Sequence, residues 1–154
     1  MSLGVKQQKT YLNIKEGKIY NQETAYDFLE GYLKGIDIKD REFRGEVVKY
    51  WYVNIQSQSG ELYSLALSYY SGVAKSLFNS FASAIDFKKA VKIQTYQSGA
   101  FTKVVVYQNG ERLNWKQSEL PPIEEVTVGS KFVKDDSKRM ELIVNFVKEI
   151  NRII

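Results

Sequence analysis

The feature that most constrains the fold is a pair of alternating apolar runs in the first half of the chain. Residues 47–56 and 62–70 are rich in aromatic and β-branched side chains, which favour strands, and Gln58-Ser59-Gly60 between them predicts a turn. If Val53 lies opposite Leu65, one side of the resulting hairpin is apolar throughout. The two runs therefore predict an antiparallel hairpin with one buried side.

The other side of this hairpin is amphipathic. The same register places Tyr52 beside Ala66 and Tyr50 beside Ser68, and it places Val48 beside Tyr70. We therefore expect an aromatic surface that a ligand can reach.

Further strands are predicted on both sides of this hairpin. Residues 11–14 and 18–20 form a short hairpin through Glu16-Gly17, and a long strand over 26–38 contains two glycines that indicate bulges or bends. The remaining predicted strands are 90–97 with 101–108, paired so that Val91 meets Val106, Ile93 meets Val104 and Thr95 meets Thr102, then 111–115 and 123–128.

Two segments have the period of a helix. Residues 73–85 place Val73, Leu77, Phe78, Phe81, Ala82 and Ile85 on one stripe, and Ser71 is available as the cap. A second helix begins near Asp135, Asp136 or Ser137 and runs to Ile154 with a wide apolar stripe. We expect this stripe to pack on the body of the protein; the alternative is that it mediates self-association.

The composition limits the chemistry. The 154 residues include no cysteine and no histidine, which excludes disulfides, thiolate chemistry, most zinc sites and imidazole-based triads. The net charge of +4 and the pI near 9.1 favour a polyanionic partner. Aromatic residues make up 14% of the chain, more than a core of this size needs, so some rings are expected on the surface.

Three strands, a helix and two further strands over residues 26–116 resemble the OB-fold, a five-stranded Greek-key barrel. We thus expect a mainly β, single domain spanning 1–154, with an amino-terminal hairpin and a carboxyl-terminal extension over 123–154 after Leu120-Pro121-Pro122. With those additions the chain is similar to single-stranded DNA-binding proteins of phages and their bacterial relatives. The family's acidic tail is not matched, because this chain ends Asn151-Arg152-Ile153-Ile154.

The resemblance implies a binding site for single-stranded DNA, or RNA, with little sequence specificity. It lies across the second and third barrel strands, between the loop over 39–45 and the loop over 96–101. Aromatic rings would stack on bases and cations would contact phosphates. The residues carried over are Tyr50, Tyr52, Tyr70, Tyr96, Phe101, Arg41, Phe43, Arg44, Lys49, Lys92 and Lys103.

Other readings of the same residues remain open. The rings fit ordinary cross-strand pairing equally well, and the lysines taken singly are more often solvated. A protein-interaction or structural module using the aromatic face and the last helix is the alternative function. An enzyme with magnesium near Asp37, Asp40 and Glu42, or near Asp135 and Asp136, is the third. We expect no enzyme activity, no metal and no cofactor.

The expected location is the cytoplasm of a bacterial or phage-infected cell. No apolar run approaches the roughly 18 residues that a membrane span requires, and the amino terminus lacks the blocks of a signal peptide. We expect no membrane partner.

Overall fold

The computed structural model describes residues 8–84 and 86–154; the prediction that concerns Ile85 lies outside this part. The described chain is mainly β with two helices. The first six strands are β1 (Lys9–Lys15), β2 (Lys18–Asn21), β3 (Thr24–Tyr26), β4 (Phe28–Phe43), β5 (Glu46–Gln56) and β6 (Leu62–Ser68). They are followed by α1 (Gly72–Phe81), β7 (Val91–Ser98), β8 (Phe101–Gln108), β9 (Glu111–Arg112), β10 (Glu124–Val128), β11 (Lys131–Asp135) and α2 (Ser137–Ile153).

Nine of these strands form one sheet, in the order β3-β2-β1-β6-β5-β4-β7-β8-β9. Strand β4 is shared between two ladders, because its first four residues pair with β7 and residues from Tyr32 onward pair with β5. The change of partner needs two local devices. A Cβ on Gly31 would lie 2.5 Å from the carbonyl oxygen of Gln56, so only glycine fits there, and the predicted bulge follows between Leu33 and Gly35.

Backbone turns of one kind connect several neighbouring strands. Both central residues have positive φ, as two-residue type I′ hairpin turns require, in Glu16-Gly17, Arg44-Gly45 and Asn109-Gly110. The first of these was predicted as the turn of the short amino-terminal hairpin. The middle one extends the β4–β5 hairpin, so residues 39–43 are strand and only Arg44-Gly45 forms the turn. The expectation of a loop over 39–45 was wrong because β4 remains paired with β5 as far as Phe43, which lies opposite Glu46.

The β5–β6 register is the predicted one, with Val53 opposite Leu65 and Tyr52 opposite Ala66. The ladder ends at Tyr50 and Ser68, so Tyr70 lies beyond β6 and does not pair with Val48.

The β7–β8 register differs from the prediction by two residues. Val91 pairs with Gln108, Ile93 with Val106 and Thr95 with Val104. The turn is centred on Gly99-Ala100 rather than on Ser98-Gly99, and moving a turn by one residue shifts all the pairs by two. The shift is even, so the predicted interior side is kept.

Helix α1 closes one side of the core. The Ser71 hydroxyl accepts a hydrogen bond from Ala74 N at 3.2 Å, which confirms the predicted cap, and Leu77, Phe78 and Phe81 are fully buried. The helix ends at Phe81, earlier than predicted. The indole of Trp51 packs edge-on against Phe78, so the helix contacts the buried side of β5.

Helix α2 packs into the same core. Met140, Ile143, Phe146, Val147 and Ile150 are buried in the cluster that includes the sheet, so the expected packing on the body is observed. Neither helix of the described residues has the length and apolar character that crossing a membrane requires.

Two threonine hydroxyls join the amino-terminal hairpin to β7 and β8. Thr95 Oγ1 donates to the Gly17 carbonyl at 2.8 Å, and Gly17 N donates to Thr102 Oγ1 at 3.1 Å. Within the described chain β6 pairs in parallel with β1, and no ladder between β6 and β8 closes a barrel. In the part of the chain that the structure describes, the amino-terminal hairpin is therefore joined to β7 and β8 by side-chain hydrogen bonds and not by a ladder. We call the two hydrogen bonds at Gly17 the Gly17 staple.

The Gly17 staple predicts a measurable dependence on glycine. A Cβ there would lie 2.7 Å from Gln97 N, and φ is +77°. Gly17→Ala should lower the free energy of unfolding by about 2–4 kcal/mol, combining left-handed backbone strain with overpacking. Gly110→Ala is the matched control, with the same φ and nothing within 4 Å, and should lose only about 1–2 kcal/mol. Urea unfolding measures both, and equal losses would contradict the close packing.

Candidate nucleic-acid interface

Strand β5 separates a buried side from an aromatic one. Trp51, Val53 and Ile55 are completely buried, and since neighbouring side chains of a strand point to opposite sides, Tyr50 and Tyr52 lie on the side away from the core. We call this side of β4 and β5 the tyrosine face. Its position follows directly from the burial of the alternate residues.

Two cations of β4 lie over the two tyrosine rings. Lys39 Nζ is 5.5 Å from the centroid of the Tyr52 ring, and Arg41 Cζ is 4.9 Å from that of Tyr50. In the ladder Lys39 is directly opposite Tyr50, so each cation reaches diagonally to the ring on the next outward position. Rings and positive charges thus alternate along one strip, which is the pairing that a stacked, phosphate-linked ligand requires.

Alternation also sorts the charges of β4. Lys39 and Arg41 share the tyrosine face, whereas Asp40 and Glu42 point to the opposite side. Two carboxylates remain on the tyrosine face, one at each end of the hairpin. Asp37 at the bulge end accepts a hydrogen bond from Asn54 Nδ2 at 2.9 Å, and Glu46 at the turn end lies opposite Phe43. The segregation is therefore local to the middle of the hairpin, where the rings are.

Tyr52 is the less accessible of the two rings. It is 8% exposed because the Tyr11 ring packs edge-on against it, with the centroids 6.2 Å apart, and Lys39 covers another side. Tyr11 comes from β1, which lies beside β6 in the parallel pair. Tyr50 is half-buried and Tyr11 is exposed, so these two rings are the ones a ligand can reach first.

The end of the β4–β5 hairpin carries two more predicted residues. Phe43 is exposed, and the guanidinium of Arg44 lies over its ring with Cζ 5.2 Å from the centroid. By alternation Phe43 shares the tyrosine face with Arg41. Together these residues extend the strip of rings and cations to the turn, although they stand on a strand and a tight turn instead of the expected loop.

Lys49 and Tyr70 lie elsewhere. Lys49 is adjacent to Tyr50 and so points to the opposite side of β5, where its ammonium lies 5.5 Å from the Tyr69 ring centroid. Tyr69 stacks on the buried Trp51 and meets Tyr70 edge-on at 4.8 Å. The structure therefore does not bring these two predicted residues to the tyrosine face.

The other four predicted residues are on β7 and β8. Tyr96 is directly opposite Lys103, and Phe101 stands beside the turn with an exposed ring covered in part by Lys103 at 5.6 Å. Lys92 lies 4.5 Å over the ring of Phe28 and borders a cleft of about 790 Å³ with Lys88. This second basic and aromatic surface is linked to the first through the β1–β2 hairpin, whose turn at Gly17 contacts Gln97.

Lys39 lies on the tyrosine face and Tyr11 lies beside it, but both were absent from the predicted site. Lys39 was assigned to a loop because residues 39–42 are all charged and show no alternation of apolar and polar side chains. Tyr11 alternates with the buried Leu12 in the predicted first hairpin, but nothing local indicates that β1 pairs with β6. Neither residue could be assigned to the site from the local sequence pattern.

The carboxylates considered for magnesium are dispersed. Asp37 and Asp40 point to opposite sides of β4, and Asp136 forms an ion pair with Lys75. Among residues 8–84 and 86–154, no three acidic side chains are grouped as metal ligands.

Comparisons of the chain with protein-family models, with curated proteins and with solved structures give no match. The case for a function therefore depends on the geometry of the chain itself.

The different environments of the two tyrosines predict different costs of truncation. Tyr52→Ala should lower the free energy of unfolding by about 2–4 kcal/mol, because it removes a nearly buried ring and its contact with Tyr11. Tyr50→Ala on the same strand and face should cost about 1 kcal/mol. Thermal and urea unfolding compare them; a larger loss for Tyr50 would contradict the described burial.

Proposed function

We propose that this chain binds single-stranded DNA along the tyrosine face, with little preference for sequence. The observation that carries the proposal is the strip in which Lys39 and Arg41 lie over Tyr52 and Tyr50 on the side of β5 away from the core. A flexible strand offers unpaired bases and a phosphate at every step. Rings and cations that alternate at the spacing of a β-ladder can engage both.

The rings supply contacts that do not depend on base identity. Every base has an aromatic face, and stacking on a protein ring contributes roughly 1–3 kcal/mol per base. Tyr50 is the central ring of the proposed site, since it is half-buried and therefore held in place while part of the side chain remains accessible. In the bound state the Arg41 guanidinium beside it takes a phosphate as a bidentate donor.

We also propose that β4 to β8 with α1 constitute an OB-fold in which the amino-terminal hairpin occupies the gap in the barrel. The neighbouring order β7-β4-β5-β6, with α1 between β6 and β7, matches a Greek key and supports this assignment. In that assignment the tyrosine face lies on the first and second strands of the barrel, and β1 adds Tyr11 beside the third. The binding surface is therefore wider than five strands alone would give.

Lysines on opposite sides of one hairpin test the face directly. Lys39→Gln should reduce the steepness of the log-log dependence of affinity on salt by about 0.7, the contribution of one neutralised phosphate of a single strand. Lys49→Gln removes the same charge from the neighbouring strand but from the other side, and should leave the slope unchanged. Fluorescence anisotropy with a labelled oligothymidine gives both slopes. Equal effects would show that the tyrosine face is not the binding surface.

Stacking at Tyr50 has its own test. Tyr50→Leu keeps an apolar side chain but removes the ring, and should weaken binding by about 1–3 kcal/mol, or roughly 5- to 150-fold. Tyr50→Phe keeps the ring and should bind nearly as tightly as the unaltered chain. The same anisotropy titration applies, with circular dichroism to show that each variant is folded. The proposal would be refuted if the unaltered chain, shown to be folded, did not bind the labelled oligothymidine at low salt.

A further inference from the structure

Strands β10 and β11 form a separate two-stranded ribbon ahead of α2. Their register places Val126 opposite Val133 and Thr127 opposite Phe132, with the turn at Gly129-Ser130. In the described part of the chain these strands pair only with each other. An isolated two-stranded hairpin is only marginally stable in water, so this ribbon needs a further contact.

The ribbon exposes more apolar surface than a solvated hairpin needs. Phe132 is 79% exposed, and Val128, Val126 and Val133 are also exposed. The outer edge of β11 leaves unpaired backbone donors and acceptors beside these side chains. A partner strand would satisfy the backbone and cover the apolar residues together.

We propose that a second copy of this chain supplies that strand, through antiparallel pairing of β11 with β11 of the partner about a two-fold axis at Val133. The result is a four-stranded sheet in the order β10-β11 followed by the partner's β11 and β10. This proposal is independent of DNA binding, because none of its residues lies on the tyrosine face.

The charges of β11 select this register. With Val133 opposite its own copy, Lys131 of each chain lies opposite Asp135 of the other, so the symmetry creates two ion pairs. Lys134 then lies opposite Phe132 of the other copy, where an ammonium can contact the ring. Lysines usually protect an edge strand from pairing, but here each of them meets a complementary side chain.

The apolar residues align in the same register. Val126 is already opposite Val133 within one chain, so the four strands place Val126, Val133 and their two copies in one row. A row of β-branched side chains across neighbouring strands stabilises a sheet. The pairing therefore forms two ion pairs, brings apolar side chains into contact and satisfies the unpaired backbone groups of the β11 edge.

Other pairings of the ribbon lack this complementarity. Moving the two-fold axis to Lys134 brings like charges together, and moving it to Phe132 leaves Lys131 opposite Val133. Pairing through the edge of β10 about Val126 places Glu124 opposite Val128 and forms no ion pair. Of these registers, only the β11 axis at Val133 places opposite charges together.

The base of the ribbon is held in position for such an encounter. Lys138 of α2 forms an ion pair with Glu124, and Lys75 of α1 pairs with Asp136. The hydrogen bonds that the Ser137 side chain and backbone make to Asp135 lower the pKa of this carboxyl, so it is charged at neutral pH. The outer edge of β11 is therefore held in position by these ion pairs, and the Asp135 carboxyl group on it is ionised.

Charge exchange between copies tests the register. Lys131→Glu and Asp135→Lys each turn both ion pairs into repulsions, so each protein alone should have a dimer dissociation constant raised about tenfold or more. In an equimolar mixture, the heterodimer places the introduced glutamate of one variant opposite the introduced lysine of the other. The second pair, Lys131 with Asp135, is unaltered, so the mixture should regain dimerisation. Sedimentation velocity of the full chain at low ionic strength measures all three samples against the unaltered protein.

Controls separate the ribbon from general effects of charge. Lys148→Glu and Glu23→Lys reverse charges at exposed positions away from the ribbon, and should dimerise as the unaltered chain does, alone or mixed. Val133→Asp places two carboxylates at the axis without touching Asp135 and should also prevent association. Circular dichroism confirms folding in each case.

The outcomes are decisive in either direction. An unaltered protein that stays monomeric across the concentration series overturns the proposal. Dimers that persist in Lys131→Glu and Val133→Asp place the contact elsewhere, and a mixture without recovery rejects the register. Weak dimerisation of each charge variant by itself, with recovery in the equimolar mixture, supports the register.

Discussion

The burial of alternate residues of β5 is the constraint on which the rest of the structure depends. Trp51 is completely buried, its indole stacks on Tyr69 with the centroids 5.0 Å apart, and its Nε1 donates to the Tyr69 carbonyl at 3.0 Å. These contacts join β5 to the turn before α1. Because Trp51 cannot rotate outward without losing them, the residues on either side of it are held outward. The tyrosine face is a consequence of what the core requires.

Local pattern was sufficient to predict the parts of the fold whose partners are neighbours in sequence. The β5–β6 register was predictable because one choice places Trp51, Val53 and Ile55 on the same side as Leu65 and Leu67. The Ser71 cap was predictable because a hydroxyl stands one residue before the helix. The β7–β8 hairpin shows the limit. Both Ser98-Gly99 and Gly99-Ala100 are acceptable turns, and both keep the same side apolar, so alternation cannot choose between them.

Distant pairings were beyond sequence pattern. Two contacts join residues about 50 to 85 positions apart in sequence, namely the parallel pairing of β1 with β6 and the hydrogen bonds at Gly17. No short sequence motif predicts either of them. Their effect on the site is direct, because they bring Tyr11 against Tyr52 and connect the two basic surfaces. Strand β11 was missed for a different reason. Its lysines and aspartate are typical of the approach to a helix, and only one of its five residues, Val133, is an aliphatic β-former.

The bulge between Leu33 and Gly35 has a consequence for evolution of the chain. Asn151 of α2 clamps the backbone just after it, with its amide donating to the Ile36 carbonyl and accepting from Ile36 N, both at 2.9 Å. After Ile36 the residues of β4 pair with β5 without a further bulge, so their side chains alternate regularly between the two sides of the sheet. Loss of Lys34 at the bulge would leave Leu33 opposite Ile55 and Gly35 opposite Asn54, and would change no side of the strand. Loss of a single residue between Ile36 and Lys39, where the ladder is regular, would exchange the two sides, so that Asp40 and Glu42 replaced Lys39 and Arg41 beside the rings. Two chains of almost identical composition would then present surfaces of opposite sign, and relatives that differ there by one residue need not share a ligand.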